Sequence, residues 1–299
     1  MTTPSDEGHV LRAAGWMLGA VGAFSMMAVA GRAVSFELDT FEIMFYRSLV
    51  GAMIVLLVAY RIGTLHEVTT RHLGTQVIRN VCHFIGQNLW FLAITLIPLA
   101  QVFALEFTSP LWALLLAPFI LGEKLTRARV MVACAGFVGI LIVARPSPDT
   151  VSIGMLAGIC AAIGFAGAAV LTRKLTRTET LTCILVYMTV LQLVFGLICA
   201  GYDGDIALPS AGSIPWLGVI AICGLIAHFC MTKALSLAPA AIVMPVDFIR
   251  LPLIALIGIV FYAEPIDIFV FLGALVIFGA NYINIRIETR SKRPHAWDV

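Results

Sequence analysis

Glu106, Asp247 and Arg250 stand in stretches of chain that are otherwise almost wholly apolar. A carboxylate in such surroundings can hold a proton or a cation, and a guanidinium can hold an anion. Ionisable groups inside an apolar span cost at least about 2.5 to 3.5 kcal/mol, so they usually face a bundle interior or a wet cavity and have a partner. Arg250 follows Asp247 by three positions and shares its helical face, so these two are expected to pair. They serve either as a fixed structural pair or as part of a working site. Glu106 lacks such a neighbour, because Ser109 takes the corresponding place. It is therefore the better proton-holding group of the two carboxylates, unless a partner arrives from another segment.

A second set of polar residues lies along one face. Gln76, Arg79, Asn80, His83, Gln87 and Asn88 recur at three- and four-residue steps, which makes a polar stripe on a helix. The stripe is either the wall of a cavity or an interhelical hydrogen-bond seam, and the cavity is favoured. His228, in a later apolar run, extends that wall. Arg47 could reach an interface through its long stem or point inward, and Lys233 near a run end is expected to snorkel to water. Tyr46, Trp90, Phe103, Phe107, Trp112 and Phe248 offer ring faces for a planar or cationic group, or simply pack. The residues selected for contact with a small polar solute are Tyr46, Arg47, His83, Gln87, Asn88, Trp90, Glu106, His228, Asp247 and Arg250.

The elements that must position them follow from composition. Of 299 residues, 61% are hydrophobic and 12% charged, with mean hydropathy +1.00. Soluble domains carry about 45 to 50% apolar and about 25% charged residues. The chain therefore reads as a membrane protein. Ten apolar runs approach the roughly 20 residues that a spanning helix needs: about 12–31, 40–60, 76–96, 98–121, 128–144, 152–172, 181–200, 214–236, 238–262 and 265–287. None alternates at period two as barrel strands do, so the expected fold is an all-α bundle of ten transmembrane helices. The first run imitates a secretory signal but is longer than one, and is taken as a retained helix.

Basic residues set the expected orientation. With a cytoplasmic N-terminus, fourteen of the 19 Lys and Arg residues fall on that side, against Arg32 and Arg145 on the other; Arg47, Lys233 and Arg250 fall within runs. Both termini are thus expected in the cytoplasm, at the inner (plasma) membrane. The net charge of +2 reflects topology, and "RIETRSKRPH" is an orientation signal rather than a nucleic-acid tail. The seven cysteines show no CxxC spacing, and "HEVTTRH" misplaces its second histidine for HExxH. Neither a metal site nor a cofactor is expected.

Sliding the chain against itself by 141 positions lays "LAITLIPLAQVFALEF" over "KALSLAPAAIVMPVDF". Pro98 then meets Pro239, Glu106 meets Asp247, Phe107 meets Phe248 and Glu123 meets Glu264. From 98 to 123 only six of 26 pairs are identical, but the shared residues are rare ones. Gly15 and Gly19 match Gly154 and Gly158 at an offset of 139, with spacing suited to helix packing. Two repeats are expected, 1–147 and 148–299. Five spans in each make the second enter the membrane inverted, with a site near the midplane between them.

The two five-span halves, "PLAQVFALEFTSPLWALLLAPFILGEKLTRAR" and "PVDFIRLPLIALIGIVFYAEPIDIFVFLGALVIFGANYINIRIE", resemble the EamA-type drug/metabolite transporter superfamily from Gly15 to Glu288. "FYRS" and "DFIRLP" bring the chain closest to the branch with riboflavin- and S-adenosylmethionine-type importers. The resemblance implies a secondary transporter of a small polar or amphipathic metabolite, with a cavity among spans one, three, four, six, eight and nine. Its partners would be that solute and the lipid bilayer, with no nucleic acid and a homodimer left open. An integral membrane enzyme, or a lipid-handling protein without solute flux, is the alternative; the loops show no clustered metal site, Ser/His/Asp set or phosphate-cradling segment.

Overall fold

The computed structural model describes residues 4–122, 126–145, 152–202, 204–237 and 246–291, which form helices and no strand among the described residues. In chain order these are α1 (Pro4–Val34), α2 (Thr40–Arg61), a 3-10 turn (Leu65–Glu67), α3 (Leu73–Leu96), α4 (Leu99–Glu106), α5 (Ser109–Leu121), α6 (Arg127–Ala144), α7 (Ile153–Leu175), α8 (Leu181–Ala200), α9 (Ser213–Leu237), α10 (Arg250–Tyr262) and α11 (Ile268–Ser291).

Local chemistry sets the ends. Asp39 and Glu42 close a reciprocal capping box on α2, Ser152 accepts from the Met155 amide at the start of α7, and Thr180 does the same for Cys183 at α8. Between α4 and α5 the chain breaks at Phe107 and Thr108. Pro110, in the first turn of α5, has no N–H to offer the preceding helix, and the Thr108 hydroxyl occupies the Leu105 carbonyl at 2.6 Å.

The offset of 141 holds at the level of elements. It carries the end of α1 at Val34 to the end of α7 at Leu175, the start of α2 at Thr40 to that of α8 at Leu181, and the start of α6 at Arg127 to that of α11 at Ile268. The break at Phe107 and Thr108 maps onto a break at Phe248 and Ile249. Leu121 and Tyr262, the last residues of α5 and α10, are followed by equivalent left-handed residues, Gly122 (φ 69°) and Ala263 (φ 52°). A side chain in that region costs roughly 1 to 2 kcal/mol, so the turn is kept at Ala263 against local preference. Pro239 and Glu123 lie outside the described residues.

Packing repeats in the same way. α1 lies along α9 and α3 along α7, which under the offset are one and the same pair; α2 packs on its own equivalent α8, and α6 on its equivalent α11. Contacts of this self-complementary kind relate the halves by an approximate two-fold axis. The Phe107 ring stacks on that of its equivalent Phe248, with centroids 4.4 Å apart and planes 17° apart. Gly154 faces Leu96 and Ile97, Gly158 faces Leu105, and Gly19 faces Cys230, as expected of packing glycines; Gly15 meets nothing within 4 Å.

Among the described residues seven helices are long and apolar enough to cross a membrane: those within α1, α2, α4 with α5, α7, α8, α9 and α11. α3 has the length, but its polar stripe sets it apart. α6 contributes a shorter apolar stretch, Val130–Ala144, as does α10, Arg250–Tyr262, which starts after the break at Phe248 and Ile249; residues 238–245 lie outside the described residues. The protein is a multi-pass helical membrane protein.

The ends of α1, α3, α8 and α10 share one side of the bundle, opposite the chain ends. There the Arg32 guanidinium pairs with Glu264 and donates to the Ile94 and Ile97 carbonyls at 2.5 and 2.8 Å, while Glu264 also accepts from the Leu99 amide at 3.0 Å. Arg145 pairs with Asp267 beside it. Both arginines expected on this face are therefore matched by an acid.

Candidate functional site

A cavity lies between α2, α3, α8 and α9. Most of its wall is built of equivalent residues taken two at a time, Arg47 with Met188, Ser48 with Thr189, Gly51 with Gln192, His83 with Gly224, and Gln87 with His228, and Ala221 and Leu225 complete it. Each pair is separated by 141 positions, so the cavity sits on the two-fold axis relating the halves.

The two halves contribute different chemistry to it. Where one has His83 the other has Gly224, and a Cβ there would stand 3.3 Å from an Arg47 guanidinium nitrogen. The missing side chain makes room for the arginine. No carboxylate lies within 4 Å of Arg47 among the described residues, and its guanidinium makes a long contact, 3.8 Å, to the Met44 sulfur. Among the described residues the side chains of His83, Gln87 and His228 likewise make no hydrogen bond to protein, although the Thr189 hydroxyl and the Gln192 amide nitrogen donate to the Leu185 and Asn80 carbonyls. Four polar side chains thus converge on one space, and among the described residues the long Met44 contact of Arg47 is the one protein hydrogen bond they make. His83 and Gln87 are buried, Arg47 is half-buried and His228 is exposed, so the arrangement suits a solute or water that meets them.

The charged residues form a neighbouring cluster. One guanidinium nitrogen of Arg250 lies 3.1 Å from Glu106 Oε1 and 3.1 Å from Asp247 Oδ2. Glu106 Oε2 accepts from the Trp90 indole at 2.8 Å. The Arg250 guanidinium also sits 4.9 Å from each of the Phe24, Phe103 and Phe107 ring centres, a cation held by three π-faces. The expectation that Glu106 lacks a partner holds only for its own helix: Arg250 reaches it across the bundle. With both carboxylates ionised, the cluster carries one excess negative charge.

Phe24 joins the two regions. Its ring touches Arg250 on one side and stands edge-on to His228 on the other, with centroids 5.5 Å apart.

The remaining selected residues lie apart. Tyr46 donates to the Ala207 carbonyl at 2.8 Å and ties α2 to the segment after α8. Asn88 turns back to the Phe84 carbonyl at 2.9 Å. The α3 stripe divides by turn. Arg79 donates to Thr172 and Asn80, and Asn80 is bonded by Gln192, so this part is an interhelical seam; His83 and Gln87, one and two turns on, face the cavity. Ser48, Thr189, Gln192 and Gly224 also line the cavity without having stood out in the sequence; of these the 141 offset leads to Gly224 from His83, and to Thr189 from Ser48, the neighbour of Arg47.

The EamA-like transporter family model matches residues 11–145 and again 152–286. The chain belongs to the EamA-like transporter family. It is 32% identical over 255 residues to a riboflavin transporter of Brucella anthropi, covering 84% of this chain and 89% of that one. A riboflavin transporter of Vibrio cholerae is 28% identical, with 97% and 98% covered. An S-adenosylmethionine uptake transporter of Rickettsia felis is 25% identical, with 93% of each covered. A crystal structure with 17% identity superposes with a TM-score of 0.62 over 94% of this chain and 99% of its own, and shares the fold. The EamA-like chain is a membrane transporter, and its curated relatives carry small organic molecules.

Proposed function

We propose that this EamA-like transporter moves a small amphipathic metabolite across the inner (plasma) membrane by alternating access. The observation that carries the reading is the convergence of Arg47, His83, Gln87 and His228, none of them hydrogen-bonded to a protein nitrogen or oxygen among the described residues, on the cavity that straddles the two-fold axis. A site on that axis meets equivalent walls from both halves, which is what exchange between two opposed openings requires. The proposed topology is ten spans in two inverted repeats, 1–147 and 148–299, with both termini cytoplasmic. Arg32 and Arg145, each paired with an acid on the side opposite the chain ends, support this orientation. Arg47 and the two histidines suit an acceptor-rich or anionic part of the solute, and the adjoining acidic cluster suits a cationic or donor-rich part.

Riboflavin and S-adenosylmethionine, the solutes named for the relatives, are the first to try. Purified protein in proteoliposomes is expected to take up one of them saturably. Arg47→Gln and Gln87→Ala should each lower uptake at least about tenfold while the folded yield is unchanged. Uptake that neither substitution alters would remove the axis cavity from the account.

A further inference from the structure

A second pocket, sharing no lining residue with the axis cavity, lies between the Phe107–Phe248 stack and α11. Asp247, Asn281, Phe107, Phe248, Phe278 and Tyr282 line it. Asp247 and Asn281 are 3% and 8% exposed. Among the described residues Arg250 occupies Asp247 Oδ2 while Oδ1 has no donor, and the Asn281 amide nitrogen donates to the Phe107 carbonyl at 2.8 Å, which leaves its Oδ1 as a second acceptor with no donor. Two buried acceptors, one of them charged, therefore border one aromatic pocket unfilled. Phe248 and Phe278 pack with centroids 4.3 Å apart, and Tyr282 already draws the Arg286 guanidinium to 4.8 Å from its ring.

We propose that this pocket is a cation subsite that takes a protonated ammonium or guanidinium group of the solute. N–H donors on such a group would satisfy Asp247 Oδ1 and Asn281 Oδ1 together, and its charge would lie against the negative faces of the rings. A neutral group of equal size meets neither demand. The position, between the charge cluster and the chain-end side of α11, makes it a staging point on one arm of the pathway. The subsite deepens the proposed function and rests on it for its meaning, but its occupancy can be read without flux.

The test is saturation-transfer NMR on the purified full chain, with methylguanidinium as probe and tert-butanol as the neutral control at matched ionic strength. Saturable methylguanidinium binding is expected, with none for tert-butanol. Asp247→Asn should weaken it at least tenfold. Asn281→Lys, which tethers an ammonium beside Asp247, should fold and exclude the probe, and it keeps the test sound if Asp247→Asn does not fold. Gln87→Ala, in the other cavity, should leave binding unchanged. No binding to the native chain, or equal binding to Asn281→Lys, overturns the subsite. Probe binding without uptake of any solute would leave the subsite standing and count against the transport reading alone.

Discussion

Arg250 is the residue on which the charged cluster turns, because a single guanidinium serves both Glu106 and Asp247 inside a ring of Phe24, Phe103 and Phe107. Removing one member of a buried ion set leaves charge uncompensated, at a cost of about 3 to 5 kcal/mol. Arg250→Gln strands two carboxylates and is expected to lose most of the folded protein, read as the monodisperse fraction in size-exclusion chromatography. Glu106→Gln keeps an acceptor for Trp90 and leaves the Asp247–Arg250 pair intact and neutral. It should fold normally and lose transport at least about tenfold; equal folded yields for the two variants would sink this division of roles. Asp247 with Arg250 was legible from a three-residue spacing. The bond from Arg250 to Glu106 was not, since spacing along one helix says nothing of which helix lies opposite.

At the scale of elements, the side of the bundle opposite the chain ends is held by loops and helix ends rather than by long faces. Arg32 binds the end of α3 through two carbonyls and the turn after α10 through Glu264, which also holds the first amide of α4. One side chain thus bridges both repeats, and this bridge must open if that side opens. Glu264→Gln replaces the ion pair with a weaker hydrogen bond from the Arg32 guanidinium to an uncharged carbonyl. A cysteine at Gln101, in the crevice beside Glu264, should then react with an impermeant thiol reagent several-fold faster than in the unsubstituted background; an unchanged rate would make the contact passive.

Glu37 is a second tie on this side. It accepts from the Ser210 amide and hydroxyl at 2.5 and 2.8 Å and from the Ser213 hydroxyl, and these donors, Ser213 foremost, lower its pKa below the usual 4.5. A lowered folded pKa means that the stabilisation is present above 4.5 and fades as pH falls through the folded value. The gap in melting temperature between the native chain and Glu37→Gln should therefore narrow on acidification below about pH 4, and a gap that is constant from pH 7 to 3 would contradict it. Caps such as Asp39 with Glu42 were readable in principle from residue type. The α3 stripe was readable as polar, but not as half seam and half cavity, because that division depends on where α7 and α8 end their approach.

For the whole molecule, the offset of 141 is the organising fact, and it was visible in sequence through a proline, an intramembrane acid and a phenylalanine. The structure extends it to helix ends, to the paired breaks at Phe107 and Phe248, and to the left-handed residues Gly122 and Ala263. What the sequence hid is that equivalent residues meet, Phe107 on Phe248 and the five pairs around the axis cavity. A repeat in sequence is equally compatible with halves side by side, and only contacts reveal a two-fold axis.

The central claim is that this axis cavity opens to each side in turn with solute bound in it. Its most direct test places a single cysteine at Ser48, on the cavity wall, in a chain whose seven native cysteines have been replaced. An impermeant thiol reagent is applied to right-side-out and inside-out vesicles, with and without the transported solute. Labelling from both sides, slowed at least about tenfold from each by the solute, is the predicted result. Labelling confined to one side under every condition, or indifferent to solute, would contradict it.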